Sequence, residues 1–106
     1  MNDKDLLKAV ELVNESRGGV SWVDGDQAEI LELPVAGIMS NADGFQVAER
    51  YSQLDTLAKS LGTSLHAPYM TLSFMALLVI PQLKLSDKGL FDGEHFSLTS
   101  LELNSK

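Results

Sequence analysis

At 106 residues the chain is the size of one ordinary domain, long enough to bury roughly two thirds of its unfolded surface without staples. Fifteen Asp and Glu stand against eight Lys and Arg, a formal charge of −7. That balance repels phosphate backbones and anionic bilayer surfaces, and sets aside nucleic acid and membrane as partners. Cysteine is absent, which removes disulfides, thiolate metal sites and a cysteine nucleophile together and fits a cytoplasmic chain.

In chain order, the polar opening Asn2, Asp3, Lys4 and Asp5 is unlike a signal peptide. Asp3 to Asn14 reads as a helix capped by Asn2 or Asp3, with Leu6, Val10 and Val13 on one face and Leu7 and Ala9 beside them. Ser16-Arg17-Gly18-Gly19 ends it. A phosphate cradle needs a strand before its glycines and a helix after them, and here the order is reversed. Gly19 to Val23 and Gln27 to Leu33 read as two strands of a hairpin around Asp24-Gly25, because glycine tolerates the positive φ of a tight turn.

Pro34 to Met39 is a short apolar link. Ser40 and Asp43 form a capping pattern, with Ser40 as the cap, for a helix running to Leu61. Val47, Tyr51, Leu54, Ala58 and Leu61 give it a continuous apolar stripe; Glu49, Arg50, Asp55 and Lys59 fall off that stripe, and Gly62 stands at the C-cap. Met70 to Ile80, bracketed by Pro68 and Pro81, is apolar almost throughout; periodicity does not separate strand from helix, and a core strand is the expectation for a run of this length. It is shorter than the about 20 residues a bilayer span requires. Leu83 to Leu85 reads as a strand, Lys88-Gly89 as a turn, and Phe96 to Leu103 as a last strand. The expected fold is α+β: a single domain over residues 1–106, with a mostly antiparallel sheet and two principal helices.

Little of this is chemistry. The two histidines, His66 and His95, share no ligand spacing. His95, after Asp92-Gly93-Glu94, belongs to an exposed turn, and His66, beside Ala67-Pro68, reads as a hydrogen-bonded structural histidine. No Gly-x-Ser-x-Gly occurs and no Ser/His/Asp set assembles. Ser73, inside the apolar run, is expected to bond to backbone. Met39, Met70 and Met75 are adaptable packing residues by default.

Two segments carry a further pattern: Leu33-Pro34-Val35-Ala36-Gly37-Ile38-Met39-Ser40, and Ala67-Pro68-Tyr69-Met70-Thr71-Leu72-Ser73-Phe74-Met75-Ala76-Leu77, continuing through Val79-Ile80-Pro81-Gln82-Leu83-Lys84-Leu85 to Leu90. Together they resemble the C-terminal domain of adenine deaminases in the amidohydrolase superfamily, and the likeness covers nearly the whole chain. One departure is Leu77-Leu78-Val79, where the family more often has Leu-Pro-Val. The resemblance implies an enzyme several times longer. A metal-bearing (β/α)₈ barrel there precedes this domain, and a metal-activated water attacks C6 of adenine to give hypoxanthine and ammonia, the reaction of purine salvage. It implies manganese, iron or zinc in the whole enzyme and no metal or catalytic residue in this piece, which starts inside the family's C-terminal domain.

The implied partner is the protein's own N-terminal metal-bearing barrel, with a homodimer as a further candidate. An apolar run richer than one strand face needs suggests that the Pro68 to Lys84 segment packs on the barrel or at a subunit contact. The candidate contact residues are Gly37, Met39, Pro68, Met70, Ser73, Phe74 and Lys84, with Gly37 and Pro68 shaping backbone and Lys84 expected to pair with an acidic residue. Substrate-binding residues are not identified. The alternative is a free-standing interaction or dimerisation module uncoupled from catalysis; an independent small hydrolase has no converging nucleophile, base and metal set behind it.

Overall fold

A computed structural model describes residues 2–102. The fold is α+β, with helices and two small antiparallel sheets. The chain forms two compact units, one ending at Pro68 and one starting at Tyr69.

The first unit opens with α1 (Asp3–Glu15), capped by Asn2, whose side chain accepts the Asp5 N–H. The helix ends as the Ser16-Arg17-Gly18-Gly19 signal requires. Arg17 turns left-handed at φ 55°, its N–H donates to the Asn14 carbonyl, and the Gly18 N–H reaches back to Val13. These two bonds satisfy carbonyls the last turn leaves open. β1 (Gly19–Asp24) and β2 (Gln27–Glu32) then form the expected hairpin, with Gly25 at φ 58° in its two-residue turn.

Register sets what the hairpin faces. Trp22 lies opposite Glu29 and Val20 opposite Leu31, while Val23 and Ser21 point to the other side with Ala28 and Ile30. Adjacent residues Trp22 and Val23 are both buried, so both faces are covered. The Ser21 hydroxyl donates to the Ala9 carbonyl and Lys8 Nζ reaches the Gly25 and Asp26 carbonyls, which places α1 on the Val23 side. α2 (Gly44–Ser60) covers the Trp22 side, tied down by Arg50. Trp22, Val23, Leu31 and the fully buried Leu54 are the core.

Three sequence expectations shift here. The inward flank of α1 is Ala9, Leu12 and Val13, whereas Leu6, Leu7 and Val10 stand exposed; six apolar positions on thirteen residues make a broad stripe, and the hairpin takes one flank of it. The cap of α2 is Asp43, whose carboxylate accepts the Phe45 and Gln46 N–H groups, while Ser40 only accepts the Ala42 N–H in the preceding turn. The helix therefore starts at Gly44. Of its stripe, Leu54 is buried and Val47, Tyr51 and Ala58 are half-buried, but Leu61 is the C-cap and exposed. Gly62, at φ 99°, supplies the expected left-handed residue after it.

Between hairpin and α2, the apolar link turns on itself: Val35 and Met39 exchange backbone bonds around Ala36 and Gly37. Gly37 abuts Gly18 so closely that a Cβ on Gly18 would lie 2.3 Å from the Gly37 Cα. The glycine after α1 is thus more than a helix stop; it admits the link.

The second unit departs furthest from expectation. The apolar run is not a core strand: α3 (Pro68–Ser73) passes into a 3₁₀ turn at Phe74–Ala76 and then into turns up to β3 (Leu83–Ser86). Proline is favoured in a helix's first turn, where its missing N–H costs nothing, and Pro68 sits there. β3 pairs with β4 (Gly89–Asp92) around Asp87-Lys88, and β4 pairs with the two-residue β5 (Ser97–Leu98). The last strand is shorter than the sequence suggests: Phe96 adopts φ 53° in the turn before it, its ring packed edge-on against Phe91 at 5.6 Å between centroids. The part of the expected strand from Leu103 onward lies outside the described residues.

Candidate functional site

A depression lies in the first unit. It has a volume of about 360 Å³ and lies between the end of β2, the link and the start of α2, walled by Leu31, Glu32, Pro34, Asn41, Gln46 and Arg50 among others. Glu32 and Arg50 are the charged residues among its walls, and the Arg50 charge is already engaged. Its Nε and Nη2 donate to the Ile30 carbonyl at 3.4 and 3.3 Å, Nη1 to the Gln53 side chain at 3.4 Å, and Nη2 also pairs with the Glu29 carboxylate. A guanidinium so committed braces helix against hairpin. Sequence reasoning placed Arg50 off the packed stripe; its position one turn before Leu54 and beside Tyr51 is the signal that it could lean inward.

The candidate contact residues fall in two groups. In the first unit, Gly37 and Met39 share the link turn, Met39 exposed and Gly37 partly covered, while Pro68 is buried at the head of α3. In the second, Met70 and Ser73 lie on successive turns of α3, where the Ser73 hydroxyl donates to the Met70 carbonyl at 2.7 Å, the backbone bond expected for it. Phe74 follows in the 3₁₀ turn, exposed with Met70, Leu72, Met75, Leu77 and Val79. Lys84, on β3, donates to the Pro81 and Leu83 carbonyls rather than to an acidic partner.

The histidines stay apart from any site. His95 lies in an exposed turn, as expected. Its Nδ1 meets the Asp92 carboxylate at 2.7 Å, and Asp92 also accepts the Glu94 and His95 backbone N–H groups. The hydrogen bond to Asp92 raises the His95 pKa above its ordinary value, and the same bond lowers that of Asp92. His66 is exposed too, not the structural histidine its neighbourhood suggests. Among the described residues no three His, Asp or Glu side chains gather to hold a metal ion. None of the described helices is long and apolar enough to cross a membrane.

The first unit braces a hairpin between two helices, and the sequence says which family it comes from: the chain belongs to the adenine deaminase C-terminal domain family, whose sequence model matches residues 1–97. Among curated relatives it is 56% identical over 96 residues to an adenine deaminase of Sulfurovum sp., 48% over 100 residues to one of Methanothermobacter thermautotrophicus, and 52% over 101 residues to one of Methanosarcina acetivorans. These alignments cover 90%, 93% and 93% of this chain but only 18%, 19% and 18% of the relatives. The chain thus spans less than a fifth of the proteins it matches. No solved structure matches it.

Proposed function

We propose that residues 1–106 act as one domain, the C-terminal portion of an adenine deaminase that hydrolyses adenine to hypoxanthine and ammonia for purine salvage in the cytoplasm. The catalytic metal, manganese, iron or zinc, belongs to a barrel that precedes this portion. A divalent metal there lowers the pKa of a bound water. This portion supports or covers the barrel and does not itself catalyse. The observation that carries the reading is 56% identity over 90% of this chain to a protein of that name, of which the chain is 18%. The exposed Met70, Leu72, Phe74 and Met75 supply a surface suited to a barrel contact. Purified alone and given adenine with each of the three metals, the chain is expected to release no ammonia; metal-dependent release would overturn the reading. The free-standing dimerisation module is favoured instead if the purified chain is a stable dimer and its gene adjoins no deaminase barrel.

A further inference from the structure

We infer that the outward face of α1, formed by Leu6, Leu7 and Val10, is a further seat for the polypeptide that precedes this domain, in addition to the Met70–Val79 surface. This rests on the reading of the chain as the C-terminal portion of an adenine deaminase.

The face is exposed by construction. Leu6 and Val10 are one turn apart with Leu7 beside them, and the three are 53%, 59% and 59% exposed. Their outward rotation is fixed at two points on the hairpin. Ser21 holds the Ala9 carbonyl at 2.9 Å, and Lys8 Nζ reaches the Gly25 and Asp26 carbonyls. The adjoining flank is spent on the hairpin through Ala9, Leu12 and Val13. A broad apolar stripe on a helix is one that is buried; among the described residues only this flank of it has a cover.

Two observations choose the occupant. The relatives hold more than four fifths of their length outside the matched region, and a domain at the C-terminal end must be joined to that length. A second copy of this chain is disfavoured by charge: each copy carries −7, and α1 itself carries Asp3, Asp5, Glu11 and Glu15 against Lys4 and Lys8.

The test uses the full-length Sulfurovum relative with its matched segment replaced by this chain, alongside the chain alone. The chimera is expected to deaminate adenine. Leu7→Glu with Val10→Glu is expected to lower its half-inactivation temperature by several degrees, and Leu7→Ala with Val10→Ala to do so less. In the chain alone the same pairs should leave the melting temperature and circular dichroism nearly unchanged, since water already surrounds these side chains. An active chimera indifferent to both pairs overturns the inference and leaves the proposed function standing. An inactive chimera removes that function and this inference with it. Self-association of the chain alone, abolished by the glutamate pair, gives the face to a second copy and overturns the inference as well.

Discussion

The two units divide the apolar residues of the chain very unequally. The first, ending at Pro68, contains every buried residue of the described chain, from Trp22 and Val23 through Leu31 and Leu54 to Pro68. No described residue of the second, from Tyr69 to Glu102, is buried, although it holds the richest apolar run. Apolar content alone therefore does not make a core. A core needs elements whose faces close on one another: in the first unit two helices close on a hairpin, whereas in the second a short helix, a 3₁₀ turn and a three-stranded sheet carry Met70, Leu72, Phe74, Leu83 and Leu85 outward.

The contrast is broken most directly by truncation. Leu54→Ala is expected to cost roughly 2–5 kcal/mol, read from the denaturation midpoint with Trp22, the chain's single tryptophan, as reporter. Leu85→Ala, at an exposed position in the second unit, should stay within about 0.5 kcal/mol. Equal losses would mean that the second unit hides a core of its own.

Gly18→Ala should follow, at about 1–3 kcal/mol, because the added Cβ meets the backbone of Gly37 at a φ of 130°. Circular dichroism melts of this variant beside Gly25→Ala would sharpen the point: Gly25 also has positive φ but open space around its Cβ position, so its change carries strain without the clash.

The cap of α2 gives a smaller, more discriminating pair. Asp43→Ala is expected to cost about 1 kcal/mol, and Ser40→Ala distinctly less, since only Asp43 accepts the N–H groups of the first turn. The reverse order in urea unfolding would move the helix start back to Ser40. Amide exchange extends the comparison along the backbone: β1 and β2, covered on both faces, should exchange slowly and β3 to β5 faster.

The smallest effect concerns the 92–95 turn. His95 has a raised pKa, so its contribution is present below its ordinary value of 6.5 and fades as pH rises through the raised one. Asp92 has a lowered pKa, so its contribution is present above 3.8 and fades as pH falls through the lowered value. The turn is thus held best in mildly acidic solution. An NMR titration of the His95 ring should show Asp92→Asn moving its midpoint down; an unmoved midpoint would show that the pair does not form in solution.

What could be read from the sequence follows the same line between the units. The first unit's elements repeat at 3.6 or 2 residues, and punctuation at Gly18-Gly19, Asp24-Gly25 and Gly62 marks their ends, so helix, hairpin and helix were all legible. Which flank of α1 packs was not, because its apolar stripe is broad and only the hairpin's hydrogen bonds choose. Nor was the role of Arg50, which depends on Glu29 and Ile30 arriving from twenty residues away. In the second unit an unbroken apolar run has no period, and the helix–turn path from Pro68 to Ala76 could not be told from a strand. The family was legible from residue patterns in both units.

The contact between Gly18 and Gly37 also fixes how this sequence can change with time. A truncated core leucine leaves a hole that a larger neighbour could later fill, so such a loss is open to second-site repair. A side chain added at position 18 meets the backbone of the link, and the residue there is already the smallest available. No substitution at 37 can make more room. Suppressors of a Gly18 mutation would have to shift the link itself, whereas those of Leu54→Ala would be found among the side chains around it.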